Sequence, residues 1–384
     1  MAFRRKLVAS LTAVVSFVLS SVVQATADLN MRPGVTETSQ EAYDLHMMVI
    51  WVMTGIAVVV FGLMFISIFK HRKSKHPTPA TWSHSTKVEI VWTAIPLIIL
   101  AALTIPAVKL LLKMEDTSNP DMSIQITGSQ WKWHYKYLEH DIAFYSNLST
   151  PREAFENFEG EQSEKGENYL LEVDNELVIP VNKKVRFLVT SDDVIHSWWV
   201  PELAVKKDAI PGFINETWTQ VPTPGTYRGQ CTELCGKDHG FMPVVVKVLS
   251  EADFEQWVVS KNEERIAAQK AAEAAAAASW GLDKLMALGE KVYNSQCAAC
   301  HQVDGSGTPP MFPALKGSAI AIGEVAAHID IVVNGKAGSA MAAYGAQLTD
   351  AELAAVITYE RNAWDNSTGD TVQPADIQAF KAGN

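Results

Sequence analysis

A cluster of soft metal ligands occupies residues 231–242. Cys231 and Cys235 are four residues apart, His239 follows four residues later, and Met242 comes three residues after that. A further histidine, His196, lies upstream between two strand-like runs. Thiolate, imidazole and thioether donors together favour copper, and a mononuclear electron-transfer copper uses one cysteine, two histidines and a weak axial methionine. Here a second cysteine is left over, so we predict that both sulfurs bridge a pair of copper ions.

The competing interpretation of the two cysteines is a strained local disulfide. Such a bond would explain neither His239 nor Met242 at ligand spacing. We therefore expect the cysteines to be free in the folded protein.

Three segments around these residues resemble subunit II of the haem–copper cytochrome c oxidases. They are residues 191–201, 208–212 and 229–236, which read SDDVIHSWWVP, DAIPG and GQCTELCG. The resemblance covers roughly residues 40–260 and implies a cupredoxin fold with the metal ligands on loops at one end. It also implies the ligands of a dinuclear CuA centre, which are His196, Cys231, Glu233, Cys235, His239 and Met242.

The resemblance assigns a separate role to each of these ligands. The two cysteines bridge the copper ions, and each histidine binds one of them. Met242 is the weak ligand of one metal, whereas Glu233 offers its backbone carbonyl to the other. In this family the carboxylate at the position of Glu233 also binds a magnesium ion shared with subunit I.

A second cofactor is indicated by Cys297, Cys300 and His301, which form the C-x-x-C-H signature of covalent haem c attachment. The two thiols would add to the haem vinyl groups, and the imidazole would become the proximal axial ligand. A zinc site is the alternative, but no second cluster of cysteines and histidines completes four ligands. This part of the chain resembles the cytochrome c domain that is fused to subunit II in some bacterial oxidases.

The sixth iron ligand is expected to be a methionine, which raises the haem potential. Three candidates occur in this part of the chain: Met286, Met311 and Met341. Small cytochromes c place the ligand on a loop before the final helix, so Met341 resembles it best. Pro313 resembles the residue whose carbonyl holds the proximal histidine.

The composition excludes some classes of partner. The chain has 384 residues and a formal net charge of −11, so we expect no nucleic-acid partner and a surface that suits a basic protein. Its four cysteines fall into the two pairs described above, which is too few for a disulfide framework.

Residues 1–27 predict an export signal. A basic start and an apolar run precede Ala25-Thr-Ala27, an A-x-A cleavage site. Cleavage after Ala25 or Ala27 would leave a mature chain that begins near Asp28. A retained membrane anchor is the alternative, although the apolar run is short for a bilayer span.

Two apolar segments predict a transmembrane hairpin within residues 28–115. Helices are expected at about 47–69 and 90–112, each long enough to cross the hydrocarbon core. The loop between them carries lysine and arginine and no acidic residue, so it should face the cytoplasm. We expect a protein of the bacterial inner membrane, in contact with its lipid, with both termini and the redox domains on the periplasmic side.

The remainder of the chain predicts an all-β region, a linker and an all-α region. Short alternating runs over residues 121–250 predict a cupredoxin-like sandwich, and an alanine-rich run makes 251–279 a helical linker. Residues 280–384 would form the all-α cytochrome c domain, and the polar insertion at 151–168 a solvated loop. The predicted strands are 123–127, 131–138, 169–173, 176–179, 185–190, 217–220, 225–229 and 244–249.

Two further residues gain a role from the resemblance. Trp131 matches an exposed tryptophan beside CuA at which electrons enter from a cytochrome c, and the alternating aromatic residues after it predict a buried sheet face. Glu89 is either an ordinary charged residue at headgroup level or, by resemblance, the entrance of a proton path into subunit I. His134, His140 and His328 are expected to be structural.

Together these sites predict an electron relay on a membrane anchor. The resemblance implies subunit II of a proton-pumping cytochrome c oxidase. Haem c would take an electron from a c-type cytochrome or a membrane-bound donor, and CuA would pass it to the haem of subunit I, where oxygen is reduced to water. Subunits I and III are the expected partners. The chain's histidines near the membrane segments lie at helix ends or in the loop, so the oxygen site must belong to subunit I.

Two other classes remain open. One is a membrane-anchored electron-transfer protein that serves another reductase without an oxidase partner, and the other is a structural subunit, which would bind no copper. Nitrous oxide reductase also carries a CuA domain, but the helical hairpin argues against it. A quinol-oxidase subunit II is excluded if the copper ligands are assigned correctly, because that branch lacks them.

Overall fold

The computed structural model describes residues 30–79, 81–151, 154, 166–310, 312–336 and 338–383. The predicted export signal at 1–27 lies outside this part of the chain, as do Met311 and most of the polar insertion at 151–168.

Two long helices, α1 (Glu37–Lys70) and α2 (Thr86–Met114), form an apolar hairpin. Both are long and apolar enough to cross a membrane, and most of their large apolar side chains are exposed. An exposed apolar surface of this extent is unfavourable in water, so the hairpin anchors the chain in a membrane.

The first helix begins at Glu37, well before the predicted span, because its polar first turns pack against the rest of the protein. Thr36 caps the helix. The Lys113 ammonium lies 2.8 Å from a carboxylate oxygen of Glu37 and 2.8 Å from one of Glu41, which ties the outer ends of both helices together. The backbone N–H of Val35 donates to the carbonyl of Glu202 at 3.2 Å, so the hairpin is held against the domain that follows.

Residues 122–249, called the sandwich domain below, form two five-stranded sheets with the orders β3-β2-β1-β5-β8 and β4-β10-β9-β6-β7. The strands are β1 (Met122–Ser129), β2 (Lys132–Tyr137), β3 (Ile142–Ser146), β4 (Leu177–Pro180), β5 (Val185–Ser191), β6 (His196–Val200), β7 (Val205–Ala209), β8 (Asn215–Thr219), β9 (Gly225–Cys231) and β10 (Pro243–Leu249). Burial alternates along β5 as a pleated strand requires. Trp133, Tyr135 and Tyr137 are fully buried, which confirms the predicted aromatic face of β2.

The strand predictions are wrong in two ways: one predicted strand does not form, and three strands that form were not predicted. Residues 169–173 form no strand: Leu170 has a left-handed φ of 62°, and Val173 makes only an isolated bridge to Leu148. Three strands were not predicted, because β6 is buried on both faces, β7 is mostly polar, and β3 is half-exposed. His196 is therefore the first residue of a strand, rather than lying between two.

The alanine-rich region forms one helix, α3 (Glu251–Ala277). Its first turns pack on the sandwich domain, where the Trp257 ring lies 5.2 Å from that of Tyr137 and Phe254 joins the core. The helix is thus a packed arm rather than a free tether.

Residues 280–383, called the helical domain below, contain five helices in the part that the structure describes. They are α4 (Leu282–Gln296), α5 (Ala298–His301), α6 (Val325–Asn334), α7 (Asp350–Asn362) and α8 (Pro374–Gly383). Helices α4 and α7 cross at Gly289, where a Cβ atom would lie 2.2 Å from the carbonyl oxygen of Ala355. Tyr293 packs against Tyr359 and Trp364 beside this crossing.

Candidate metal and haem centres

The predicted copper ligands lie on two neighbouring strands and on the loop that follows one of them. His196 is the first residue of β6, and Cys231 is the last residue of β9, to which β6 is paired. Cys235 and His239 follow on the loop, and Met242 directly precedes β10. One end of one sheet therefore gathers all five side chains.

The sulfur and nitrogen atoms of these residues lie close together. Cys231 Sγ is 3.9 Å from Cys235 Sγ and 4.0 Å from His196 Nδ1. Cys235 Sγ is 3.5 Å from both His239 Nδ1 and Met242 Sδ. The separation of the two Sγ atoms is well beyond the ~2.05 Å of a disulfide. Cys231 and Cys235 are thus free thiols and do not form the competing disulfide.

The two thiols influence each other's ionisation. A hydrogen bond from the Cys235 thiol lowers the pKa of Cys231, and the same contact raises the pKa of Cys235. Because copper binds thiolates, Cys231 is prepared for a metal, whereas Cys235 would release its proton when a cation binds.

Asp193 holds the ring of His196 in place. The His196 Nε2 atom lies 2.9 Å from Asp193 Oδ1, and Asp193 Oδ2 accepts from the backbone N–H of Gln130 at 2.7 Å. The buried ring therefore turns Nδ1 towards Cys231, the arrangement by which outer carboxylates orient metal-binding histidines. Burial opposes the charged imidazole, but hydrogen bonds to Asp193 and Cys231 outweigh it and raise the pKa of His196 to about 9. Gly128 leaves room for the ring, since a Cβ atom there would lie 2.9 Å from Cδ2.

Replacing Asp193 by asparagine is expected to weaken copper binding about 10–100-fold, because the ring loses the carboxylate that orients it. The measurement is the copper retained by the purified protein during titration with a competing chelator. Asp192→Asn is the matched control, since it makes the same change at the adjacent, exposed residue. Equal copper loss in the two variants would contradict the role of Asp193.

Glu233 adds an oxygen to the cluster. Its backbone carbonyl lies 3.4 Å from Cys231 Sγ, and the residue itself is exposed, so a partner subunit could reach its carboxylate. Two thiols, two imidazoles, a thioether and a carbonyl are a donor set that suits copper. The ligand atoms of His196, Cys231 and Cys235 all lie within 4.8 Å of one another. The residues present therefore fit a dinuclear copper centre.

Trp131 is bonded to the backbone of a candidate copper ligand. Its indole N–H donates to the carbonyl of Cys235 at 3.2 Å, and the side chain of Gln130 donates to the same oxygen at 2.8 Å. The loop can lie this close because Gly236 has a φ of 120° and a Cβ atom there would lie 3.1 Å from Trp131 Cζ2. Trp131 is half-buried rather than exposed as the resemblance implied, because it packs against the core of the sandwich domain and the copper loop.

The haem motif lies where α4 ends. Cys297 is the C-cap of α4, and Cys300 and His301 lie in the short α5. The carbonyl of Pro313 lies 2.9 Å from His301 Nδ1, which fixes the ring and leaves Nε2 for an iron. Burial raises the pKa of the Cys297 thiol, and the Glu360 carboxylate raises it further. This motif suits the thioether attachment of a haem.

A cavity of about 710 Å³ lies between the sandwich domain and the helical domain. Trp131 lines it from one side and Cys300 from the other. Ala340 and Ala342, the neighbours of Met341, also line it, so this loop faces the same space as a haem anchor. Met286, the other described candidate, is half-buried within α4. A haem attached at Cys300 would have Trp131 as a neighbour across the cavity.

Glu89 lies apart from these sites. It is half-buried in the first turn of α2, at the opposite end of the hairpin from Lys113, where the helices meet the sandwich domain. Sequence reasoning missed Asp193, Gln130 and Lys132 as neighbours of the sites. Only Asp193 carried a signal, since it is an acidic residue three positions before a ligand histidine.

Family comparisons divide the chain in the same way. The family described as "Cytochrome C oxidase subunit II, periplasmic domain" matches residues 122–249, and the corresponding transmembrane domain matches residues 24–110. The family described as "Cytochrome C oxidase, cbb3-type, subunit III" matches residues 284–359.

Individual proteins are similar to part of the chain. A probable cytochrome c oxidase subunit 2 of Rickettsia bellii is 42% identical over 235 residues, which is 61% of this chain and 84% of the relative. Cytochrome c oxidase subunit 2 of Cyanidium caldarium is 38% identical over 220 residues, or 57% of this chain and 84% of the relative. The crystal structure of the periplasmic domain of subunit II of cytochrome oxidase from Bradyrhizobium japonicum shares 40% identity, with a TM-score of 0.34. The matched region is 38% of this chain and 98% of the Bradyrhizobium japonicum chain.

Proposed function

This chain belongs to the cytochrome c oxidase subunit II family, and from that membership we propose that it is the electron-accepting subunit of a proton-pumping oxidase. As a subunit II it has subunit I as a partner. A covalent haem c and a dinuclear copper centre would supply one-electron transfer between an external donor and the haem of subunit I, where oxygen is reduced to water. We assign the copper ions to His196, Cys231, Glu233, Cys235, His239 and Met242, and the haem to Cys297, Cys300, His301 and Met341.

The observation that carries this proposal is the hydrogen bond between Trp131 and the carbonyl of Cys235. It joins an aromatic side chain at the edge of the domain to a residue that also supplies one of the two sulfurs of the copper cluster. A continuous set of bonds therefore leads from the interdomain cavity to the candidate copper ligands. The rigid strands β6 and β9 hold those ligands, which limits rearrangement when the charge of the site changes.

The position of the helical domain decides where an external donor can bind. The cavity in front of Trp131 is lined on its far side by Ser295, Gln296 and Cys300 of that domain. These residues restrict access to Trp131 from that side, so we assign the donor to the surface of the helical domain. Acidic side chains outnumber basic ones in residues 280–384, which favours a basic c-type cytochrome or a membrane-bound donor with a basic face.

The copper-site loop also offers a surface for subunit I. Leu234 is 78% exposed and Ile195 is 46% exposed, and both directly adjoin candidate ligands. Exposed apolar residues beside a functional centre are typical of an interface. We place subunit I on this face, with the Glu233 carboxylate as a ligand of a magnesium ion shared between the subunits.

The membrane arrangement completes the proposal. The basic loop between α1 and α2 would face the cytoplasm of a bacterial cell, with both termini and the redox domains on the periplasmic side of the inner membrane. Glu89 would then lie at the cytoplasmic surface, where we assign it to the entrance of a proton path into subunit I. The exposed faces of the hairpin would contact lipid, subunit I and subunit III.

The test is purification of the tagged chain in a mild detergent, followed by copper, haem and subunit analysis. We expect copper and haem c in this chain, together with a many-helix subunit that carries further haems. Isolation of the chain alone with copper and haem c would favour a relay for another reductase. A chain without copper would overturn the proposal in favour of a structural subunit.

A further inference from the structure

Lys132 is a buried cation at the boundary between the sandwich domain and the helical domain. It is the first residue of β2, directly after Trp131, and only 8% of its surface is exposed. Its Nζ atom lies 3.5 Å from Oε1 of Gln296, the last residue of α4. The same atom lies 5.2 Å from the ring centroid of Tyr145 and 5.6 Å from that of Tyr344. One lysine of the sandwich domain therefore contacts two residues of the helical domain.

Gln296 and Tyr344 are joined to each other within the helical domain. The Tyr344 hydroxyl donates to the backbone carbonyl of Gln296 at 3.2 Å, which ties the Met341 loop to the end of α4. Cys297, a haem anchor, is the next residue after Gln296. On the opposite side, the Tyr145 ring packs against that of His134 in a tilted arrangement, with ring centroids 4.6 Å apart. The contacts of Lys132 are thus made to side chains that other bonds already hold.

A buried cation needs compensation, because a desolvated charge is unfavourable unless it is paired. Within the described residues, no carboxylate oxygen lies within ion-pair distance of Lys132. The ammonium group is instead compensated by two aromatic rings and one amide oxygen. Burial lowers the pKa of Lys132 to about 8, against the opposing influence of Asp193, so the side chain is still a cation at neutral pH. An apolar side chain would fill this space without the free-energy cost of desolvating a charge. We therefore expect the charge itself to have a function.

We propose that Lys132 docks the helical domain onto the sandwich domain, and that its positive charge raises the reduction potential of the haem held by Cys297 and Cys300. The electrostatic part rests on the haem assignment above, whereas the docking part does not. A positive charge stabilises the reduced form of a neighbouring one-electron centre, because reduction removes a positive charge from that centre. Lys132 follows Trp131, which donates to the carbonyl of Cys235 on the copper side, and it contacts Gln296, the residue before Cys297 on the haem side, so it lies between the two centres.

The docking part is tested by amine acetylation of the intact purified complex, followed by mass spectrometry. Lys136, four residues along the same strand, is exposed and serves as the internal control. We expect Lys132 to react about tenfold more slowly, because the helical domain limits the access of the reagent to this buried side chain. Gln296→Ala removes the acceptor and should bring the rate at Lys132 towards that at Lys136. Equal rates at the two lysines in the unmodified protein would overturn the docking.

The electrostatic part is tested by redox titration of the haem c absorption. Lys132→Met should shift the equilibrium towards oxidised haem by about tenfold, or about 59 mV for a one-electron couple. Lys132→Arg, which keeps the charge, and Lys136→Met, which removes an exposed charge, should leave the potential unchanged. An unchanged potential in Lys132→Met would overturn this part. If Lys132→Met does not fold, the acetylation rates of the unmodified protein still decide the docking. Both measurements observe only a lysine and a haem, so they remain valid if no copper or subunit I were found.

Discussion

Replacing Cys235 by serine is expected to remove the copper and abolish oxygen consumption by the assembled complex, while haem c remains reducible. Cys235 Sγ lies within 4 Å of three other candidate donor atoms, those of Cys231, His239 and Met242. A serine hydroxyl is a hard donor that stays protonated, so it cannot replace a bridging thiolate. The haem motif lies on the other side of the interdomain cavity and keeps all of its anchors.

Three measurements on the same preparation check this result: copper content, reduction of haem c by the donor, and the rate of oxygen uptake. Thr232→Ser is the matched control, because it alters the same loop by one methyl group and removes no candidate ligand. It should keep both copper and oxygen uptake. Oxygen uptake that persisted in Cys235→Ser would show that electrons bypass the copper site, and the proposed order of the two centres would be wrong.

The residues that define the two sites could be recognised from sequence because their chemistry depends on local spacing. The loop from Cys231 to Met242 needs only β9 and β10 to hold its ends, and the fold brings in one distant residue, His196. The C-x-x-C-H motif is local in the same way. Met341 lies forty residues after His301, and no contact of its side chain tests its role, so that ligand stays a prediction.

Other features depended on contacts between distant parts of the chain. Asp193, Gln130 and Cys235 meet only when β1, β6 and the copper loop are assembled. Lys132 looked like an ordinary strand residue in an aromatic run, and it becomes a buried cation because a second domain covers it. The early start of α1 has the same origin, since its polar first turns form where they meet Lys113 and the sandwich domain.

Replacing Gly229 by alanine is expected to separate the strands that carry His196 and Cys231. A Cβ atom at Gly229 would lie 1.8 Å from the carbonyl oxygen of Trp199 and 2.8 Å from its carbonyl carbon. Both atoms belong to the backbone of β6, so relief of the overlap requires the whole strand to move. Overpacking a core costs ~1–3 kcal/mol, and contact with backbone places this change at the upper end. For a domain of this size, about 3 kcal/mol lowers the Tm by about 10 °C.

The measurement is the temperature at which the purified protein loses its copper absorption, together with its copper content before heating. Gly240→Ala is the matched control: it lies next to His239 in the copper loop, yet a Cβ atom there would meet nothing within 4 Å. If crowding of β6 is the cause, Gly229→Ala should lose copper and stability while Gly240→Ala keeps both, although the second change is nearer to a candidate ligand. The reverse order would show that the copper loop, and not the spacing of β6 and β9, controls the site.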